Sequence, residues 1–287
     1  MSYIFLILIA IIWGSQYIFN ALALQELTPF GLMVLRLFFG FVTLSVLLLL
    51  LPSQRTTKIQ LSPKLIGLFL LIGAVEAVIP FYLIGYGQSL VPSSFTAILM
   101  GFIPMMTLVL EYLFKLRSRV TWREGLGLII ALVGLVILVS PTQESVHVDI
   151  LGLGAILVAA FCFALALILM AKIPPEISPL QGTHFILMLY VLPLSVIWFS
   201  FNYSALPTQI ESWYSVITLG VFASGIVYLL YLTLVRREGA SFTALSNYLV
   251  PVVGTLLGVM FLNEPFTRNI VIALIFITTS LALIRRN

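Results

Sequence analysis

Glu76 stands in "GAVEAVIPFYLIGYGQ", residues 73 to 88, a run with no other charge. Burying a carboxylate in the centre of a bilayer costs about 2.5–3.5 kcal/mol on insertion scales, so its presence asks for a use. Three chemistries suit it. Glu76 could form an ion pair with Arg36, the one basic residue inside another long apolar run; such a pair adds little stability, but breaking one partner is costly. It could load and release a proton, a common role for membrane carboxylates. It could hold a cationic group of a ligand, such as an amine caged by aromatic rings. At helical rise, Glu76 lies about 15 Å below the boundary near Tyr86 and Arg36 about 10 Å below the boundary near Pro29. The two depths nearly coincide, so long side chains could bridge them.

Further polar and aromatic residues fall on helical faces. Trp13, Gln16, Tyr17 and Asn20 share one side of the first apolar run, Ser224, Tyr228 and Tyr231 cluster in another, and Tyr82 and Tyr86 follow Glu76. Steps of three and four align Ser93, Thr96, Met100, Pro104, Thr107 and Glu111. They also align Thr243, Asn247, Pro251, Gly254 and Gly258. Small residues in such a stripe serve close helix packing, whereas Met100 and Asn247 are large enough to favour a cavity wall. Each proline removes a backbone hydrogen bond and bends its helix, so Pro104 and Pro251 are the candidate hinges. Tyrosines also collect at membrane interfaces, the plainer account of Tyr17 and Tyr86. Trp13, Tyr82 and Tyr228 lie deeper. The candidate binding set is Trp13, Gln16, Asn20, Arg36, Glu76, Tyr82, Met100, Tyr228 and Asn247.

Several chemistries are excluded. Asp149 is the only aspartate, so a two-aspartate protease cannot be built, and Cys162, the single cysteine, has no histidine near it in sequence. No metal-ligand cluster and no phosphate-binding glycine loop occur, so neither metal, cofactor nor ATP is expected, and no enzyme activity.

These residues must be positioned by membrane helices. The chain of 287 residues is 61% hydrophobic and 8% charged, against about 25% charged in a soluble domain. A transmembrane helix needs about 20 apolar residues. Ten runs qualify: 3–22, 30–51, 65–86, 93–114, 122–140, 150–171, 180–201, 212–235, 240–262 and 269–285. They are too long and solid for barrel strands. The first is not read as a signal peptide, since no Lys or Arg precedes it. With the N-terminus in the cytoplasm, the cytoplasmic connections hold Arg55, Lys58, Lys64, Lys115, Arg117, Arg119, Arg123, Lys172, Arg236, Arg237, Arg285 and Arg286. That is twelve of the fourteen basic residues, so both termini are predicted cytoplasmic. The net charge of +4 then sets topology and gives no nucleic-acid patch.

"SFTAILMGFIPMMTLVLEYLF" (94–114) and "SFTALSNYLVPVVGTLLGVMF" (241–261) match at an offset of 147, and "ELTPFG" (26–31) and "EISPLQ" (176–181) at 150. The chain therefore reads as two five-helix repeats, 1–145 and 146–287. Five is odd, so the second enters the membrane inverted, the usual construction of secondary transporters with a site near the midplane between repeats.

With "IIWGSQYIFN" (11–20), Arg36, "IPFYLIGYGQ" (79–88), "SSFTAILMGFIP" (93–104) and "GASFTALSNYLVPVVGTLLGVMFLNEPFT" (239–267), the whole chain resembles the drug/metabolite transporter superfamily, in its EamA-type ten-helix branch. The resemblance implies an exporter of small metabolites or drugs in the bacterial inner membrane. Its cavity would be lined mainly by spans 1, 3, 4, 6, 8 and 9, with spans 5 and 10 peripheral. Two departures break the symmetry of such sequences: Arg117 stands where Glu264 has its repeat mate, and Met100 stands opposite Asn247. Similar sequences carry uncharged polar residues rather than an acid near position 76.

The expectation is an all-helical integral membrane protein of ten spans. It exports small amphiphilic metabolites such as amino acids, amines or drug-like compounds by alternating access, as monomer or homodimer, with protons as candidate coupling ion. The alternatives are a flippase for a lipid-linked molecule and a non-transporting assembly factor.

Overall fold

The computed structural model describes residues 2–51, 62–116, 120–139, 149–201, 206–243, 246–247 and 249–284. Every element among them is helical. Seven helical stretches are long and apolar enough to cross a membrane: 2–23, 29–50, 63–88, 93–113, 150–170, 179–201 and 210–238. Helices at Trp122–Val139, Val250–Leu262 and Arg268–Ile284 lie where the other three spans are expected. Arg55, Lys58, Arg117, Arg119, Arg285 and Arg286 lie outside the described residues, as does Ala244 of the repeat motif.

The helices are, in order, α1 Ser2–Ala23, α2 Pro29–Leu50, α3 Pro63–Gly73, α4 Ile79–Gln88, α5 Ser93–Met100, α6 Ile103–Leu113, α7 Trp122–Val139, α8 Ile150–Met170, α9 Pro179–Phe201, α10 Ile210–Gly220, α11 Val227–Glu238, α12 Ala240–Thr243, α13 Val250–Leu262 and α14 Arg268–Ile284. Local chemistry sets their starts. The Thr28 hydroxyl accepts from Gly31 N–H at 3.2 Å ahead of Pro29, and Ser62 does the same for Leu65 ahead of Pro63. Asp149 accepts from Leu151 and Gly152 N–H at 2.7 and 3.2 Å at the head of α8. Thr121 and Glu124 cap one another at the head of α7, the Thr121 N–H meeting Glu124 Oε2 at 2.7 Å, which is the reciprocal capping box.

Packing places α1 against α13, α13 against α5, α4 against α8 and α2 against α9. Helix α5 is buried along its entire length. Helices α7 and α14 pack mainly on one another and touch the rest through α5 and α6, the peripheral position implied for spans 5 and 10. Leucines such as Leu50 and Leu192 face outward, fully apolar and uncovered, which suits a lipid solvent.

Two of the long helical stretches carry a wide turn part-way along. A π-helical turn, Ala74–Val78, joins α3 to α4, and a second, Val221–Ile226, joins α10 to α11. Their starts stand 147 residues apart, the offset of the sequence repeat. A glycine precedes each. A Cβ on Gly73 would meet the carbonyl of Ile186 at 3.0 Å, and one on Gly220 the carbonyl of Arg36, also at 3.0 Å. Each wide turn is thus pressed against a neighbouring helix that a larger residue would push away.

Candidate functional site

Trp13, Gln16 and Tyr17 of α1, Met100 of α5, Ile103 of α6, Phe163 of α8, Tyr231 of α11, and Asn247 with Val250 near α13 surround a central cavity. Its free interior is about 10 Å³, room for one water. Of the nine candidate residues, Trp13, Gln16, Met100 and Asn247 line it. Trp13 meets Tyr231 edge-on at 4.6 Å between ring centroids and Tyr228 at 6.3 Å. Asn247 is 2% exposed, its amide interacts with the Tyr231 hydroxyl, and its Nδ2 makes no hydrogen bond of full geometry among the described residues.

Arg36 lies immediately behind this cavity. Its Nη2 donates to Gln16 Oε1 at 2.8 Å and to the Ala223 carbonyl at 3.0 Å, and its Nε donates to Ser224 Oγ at 2.7 Å. Its guanidinium carbon stands 3.7 Å from the centre of the Phe81 ring, a cation–π contact worth about 2 kcal/mol where water is excluded. Two of the three acceptors, Ser224 Oγ and the Ala223 carbonyl, come from the second wide turn. A π turn displaces main-chain hydrogen bonds and tends to mark functional positions, and here the Ala223 carbonyl takes a buried guanidinium.

Glu76 occupies the first wide turn at 1% exposure, and neither carboxylate oxygen has a hydrogen-bond partner among the described residues. The expected Glu76–Arg36 pair is therefore not formed. Their depths matched, but Arg36 turns to α1 and the second wide turn, while the stacked rings of Phe81 and Tyr228, 6.3 Å apart, stand beside it. The Tyr228 hydroxyl donates to the backbone carbonyl of Glu76 at 2.7 Å, tying α11 to the first wide turn without satisfying its acid. Glu76 is also outside the lining of the central cavity, with Tyr228 and Tyr231 within its electrostatic reach.

Two further placements differ from the helical-face reading. Tyr82 is 40% exposed and lines no part of the cavity. Depth along the helix, the ground for including Tyr82, does not fix which way a side chain faces. Asn20 donates through Nδ2 to Gln88 Oε1 at 2.8 Å, and Gln88 donates through Nε2 to the Tyr17 carbonyl at 3.0 Å. Asn20 thus clamps α1 to α4 at one end of the bundle. His184 meets Ser45 Oγ at 3.1 Å through Nε2 and stacks on Phe41 at 4.9 Å, a satisfied polar residue. At the hinge candidates, the helix breaks over Gly101–Phe102, with Pro104 in the first turn of α6; Pro251 sits in the first turn of α13. Proline tolerates such first-turn positions because its missing N–H is not needed there.

Two carboxylates missed as a pair by the sequence reading close one end of the molecule. Glu26 accepts from the N–H of Thr208 at 3.2 Å and of Gln209 at 3.0 Å, and from the Thr208 hydroxyl. It thereby caps α10. Glu264 accepts from the N–H groups of Ser93 and Ser94 at 2.7 and 2.9 Å and from the Ser93 hydroxyl, capping α5. Asn263, in the left-handed conformation at φ 52°, turns the chain so that Glu264 can reach. Carboxylates are stabilising at helix N-termini. The Thr208 hydroxyl, then the Gln209 N–H, pull the Glu26 carboxyl from its ordinary 4.5 down to about 2.

An all-helical membrane bundle with buried polar groups at its centre defines the class. A family model for the EamA-like transporter family matches residues 1–140 and again residues 150–286, and the chain belongs to that family. It is a multi-pass membrane transporter and not an enzyme. The uncharacterized transporter YoaV of Bacillus subtilis is 23% identical over 95% of this chain and 92% of its own. The uncharacterized inner membrane transporter YedA of Escherichia coli K12 is 27% identical over 86% of this chain and 78% of its own. One solved crystal structure superimposes with a TM-score of 0.69 at 18% identity, covering 98% of this chain and 95% of that one, which shows a shared fold.

Proposed function

We propose that the protein is a proton-coupled exporter of small amphiphilic metabolites in the bacterial inner membrane, working by alternating access between two inverted five-helix repeats, 1–145 and 146–287. The observation that carries the coupling is Glu76: a carboxylate 1% exposed with both oxygens unpartnered. A buried charge without a partner is expensive, and such a group neutralises instead. Taking a proton in one state and releasing it in another is the use that fits a group with no structural bond to keep.

The collapsed central cavity supports the cycle. With space for one water, it must widen to admit a metabolite. The Gly101–Phe102 break beside Pro104 and the start of α13 at Pro251 are the places to bend. Glu26 and Glu264 hold the end at which they sit closed, and both must release their helix N-termini for that end to open. At the opposite end α1 and α11 meet through one exposed hydrogen bond, Ser2 Oγ to Glu238 Oε1 at 2.6 Å, and through Arg237 over the Phe5 ring at 5.8 Å.

A second reading, a flippase for a lipid-linked molecule, is favoured by one feature. A wholly apolar hollow of about 240 Å³ lies between α6, α7 and α8 and opens sideways at Leu113, Leu132 and Phe161. Efflux of preloaded metabolites from proteoliposomes, beside translocation of a fluorescent lipid, tests the two. Saturable metabolite efflux with no lipid movement is expected. Lipid movement alone would select the flippase.

A further inference from the structure

We infer that the central cavity recognises the carboxylate of a small amphiphilic anion, received by the amides of Gln16 and Asn247 with Arg36 supplying the opposite charge from behind. This rests on the transport reading and names the substrate class of its site.

The argument begins with Gln16, whose orientation is fixed. Arginine has no acceptor, so the Gln16 oxygen must face the Arg36 Nη2, 2.8 Å away. The rest of the amide is then the NH2 group, which adjoins the Tyr17 hydroxyl and, with two N–H donors, has one more to give on a residue that lines the cavity. Asn247 lines the same cavity, 98% buried; its amide interacts with the Tyr231 hydroxyl, but Nδ2 makes no hydrogen bond of full geometry among the described residues. A buried donor left without an acceptor is costly, and a substrate oxygen removes that cost. The cavity thus offers amide donors, and its one amide oxygen of fixed orientation is already taken.

Charge gives the direction. Arg36 has no acidic partner; its three bonds go to neutral oxygens. Its electrostatic reach includes Tyr17, on the Gln16 side of the cavity. Arg36 and Glu76 both reach Tyr228, whereas Tyr17 feels Arg36 and Tyr231 feels Glu76. A ligand's negative end therefore belongs toward Gln16 and Tyr17, with its apolar body against Trp13 and Phe163. An amine in the same place would face donors and a guanidinium, so the cation caged by Glu76 that the sequence suggests is disfavoured here.

The test uses three probes of one shape: 3-phenylpropionate, 3-phenylpropanol and 3-phenylpropylamine. Binding to the purified full-length protein is read by calorimetry, and efflux from proteoliposomes is read beside it. The carboxylate should bind at least tenfold more tightly than the alcohol or the amine. Asn247→Asp, which keeps the shape and adds a charge, should weaken the carboxylate at least tenfold; Asn247→Ala should weaken it less. A carboxylate that binds no better than the amine overturns the inference, as does Asn247→Asp with unchanged preference. Selective carboxylate binding without efflux of any probe would sustain this inference and remove the transport reading. Efflux of the amine with exclusion of the carboxylate would do the reverse.

Discussion

The two wide turns, Ala74–Val78 and Val221–Ile226, share a backbone device but differ in their charge chemistry. The second receives the Arg36 guanidinium through Ser224 and the Ala223 carbonyl. The first holds Glu76, whose carboxyl oxygens have no hydrogen-bond partner among the described residues. At the second, a charge is buried and fully employed, so that turn is a fixed joint between α2, α1 and α11. At the first, a carboxyl group is buried without a hydrogen bond among the described residues, and only the backbone carbonyl of Glu76 is used, by Tyr228. On the proposed coupling, one duplicated element serves structure in one copy and leaves the other free for a proton.

Substitutions can break that contrast. The largest effect is expected from Arg36→Leu, which strands the Ser224 hydroxyl and the Ala223 and Gln16 carbonyls. At about 1–3 kcal/mol for a buried unsatisfied group, partly offset by relief of a buried charge, a net loss of about 3 kcal/mol should appear in thermal unfolding of the purified protein. Next come the glycines. An alanine at Gly220 meets the Phe39 Cβ at 2.3 Å, close to the backbone, whereas one at Gly73 meets the edge of the Tyr190 ring at 2.5 Å, which can swing. Overpacking costs about 1–3 kcal/mol, so Gly220→Ala should lie near the top of that range and Gly73→Ala near the bottom. Equal losses would mean that the two turns are held alike.

Glu76→Gln should sharpen the contrast by doing little to stability. No hydrogen bond is lost, and a neutral amide is cheaper to bury than a carboxylate. A melting temperature equal to or above wild type is expected; a fall as large as that of Arg36→Leu would make Glu76 structural. Smallest of all is the pH response of the closed end. The Glu26 carboxyl lies below its ordinary value, so its contribution is complete above about 4.5 and fades only as pH falls toward about 2. Unfolding midpoints of wild type and Glu26→Gln should therefore differ by a constant amount from pH 5 to 8.

Much of this architecture is legible in the sequence. Apolar length placed the helices, and the repeated Ser-Phe-Thr motif marks corresponding positions. The wide turns were not legible, because a π turn leaves no residue signature beyond a glycine pressed against a neighbour. Tyr82, which faces outward, and the unformed Glu76–Arg36 pair have another cause: rise gives depth but not direction around a helix axis. Asn20 was assigned to the cavity because a lone polar residue looks the same whether it faces a ligand or Gln88. Glu26 and Glu264 act across the bundle on helices far along the chain, and local pattern cannot report such distant partners.

The central claim is that Glu76 carries the coupling proton, and proteoliposomes with a pH-sensitive dye inside test it most directly. Wild type and Glu76→Gln would be loaded with the same transported substrate and followed for substrate and proton movement together. The account predicts protons moving with substrate in wild type and no proton movement in Glu76→Gln. Proton movement of equal size in both proteins would contradict it, as would substrate flux without protons in wild type.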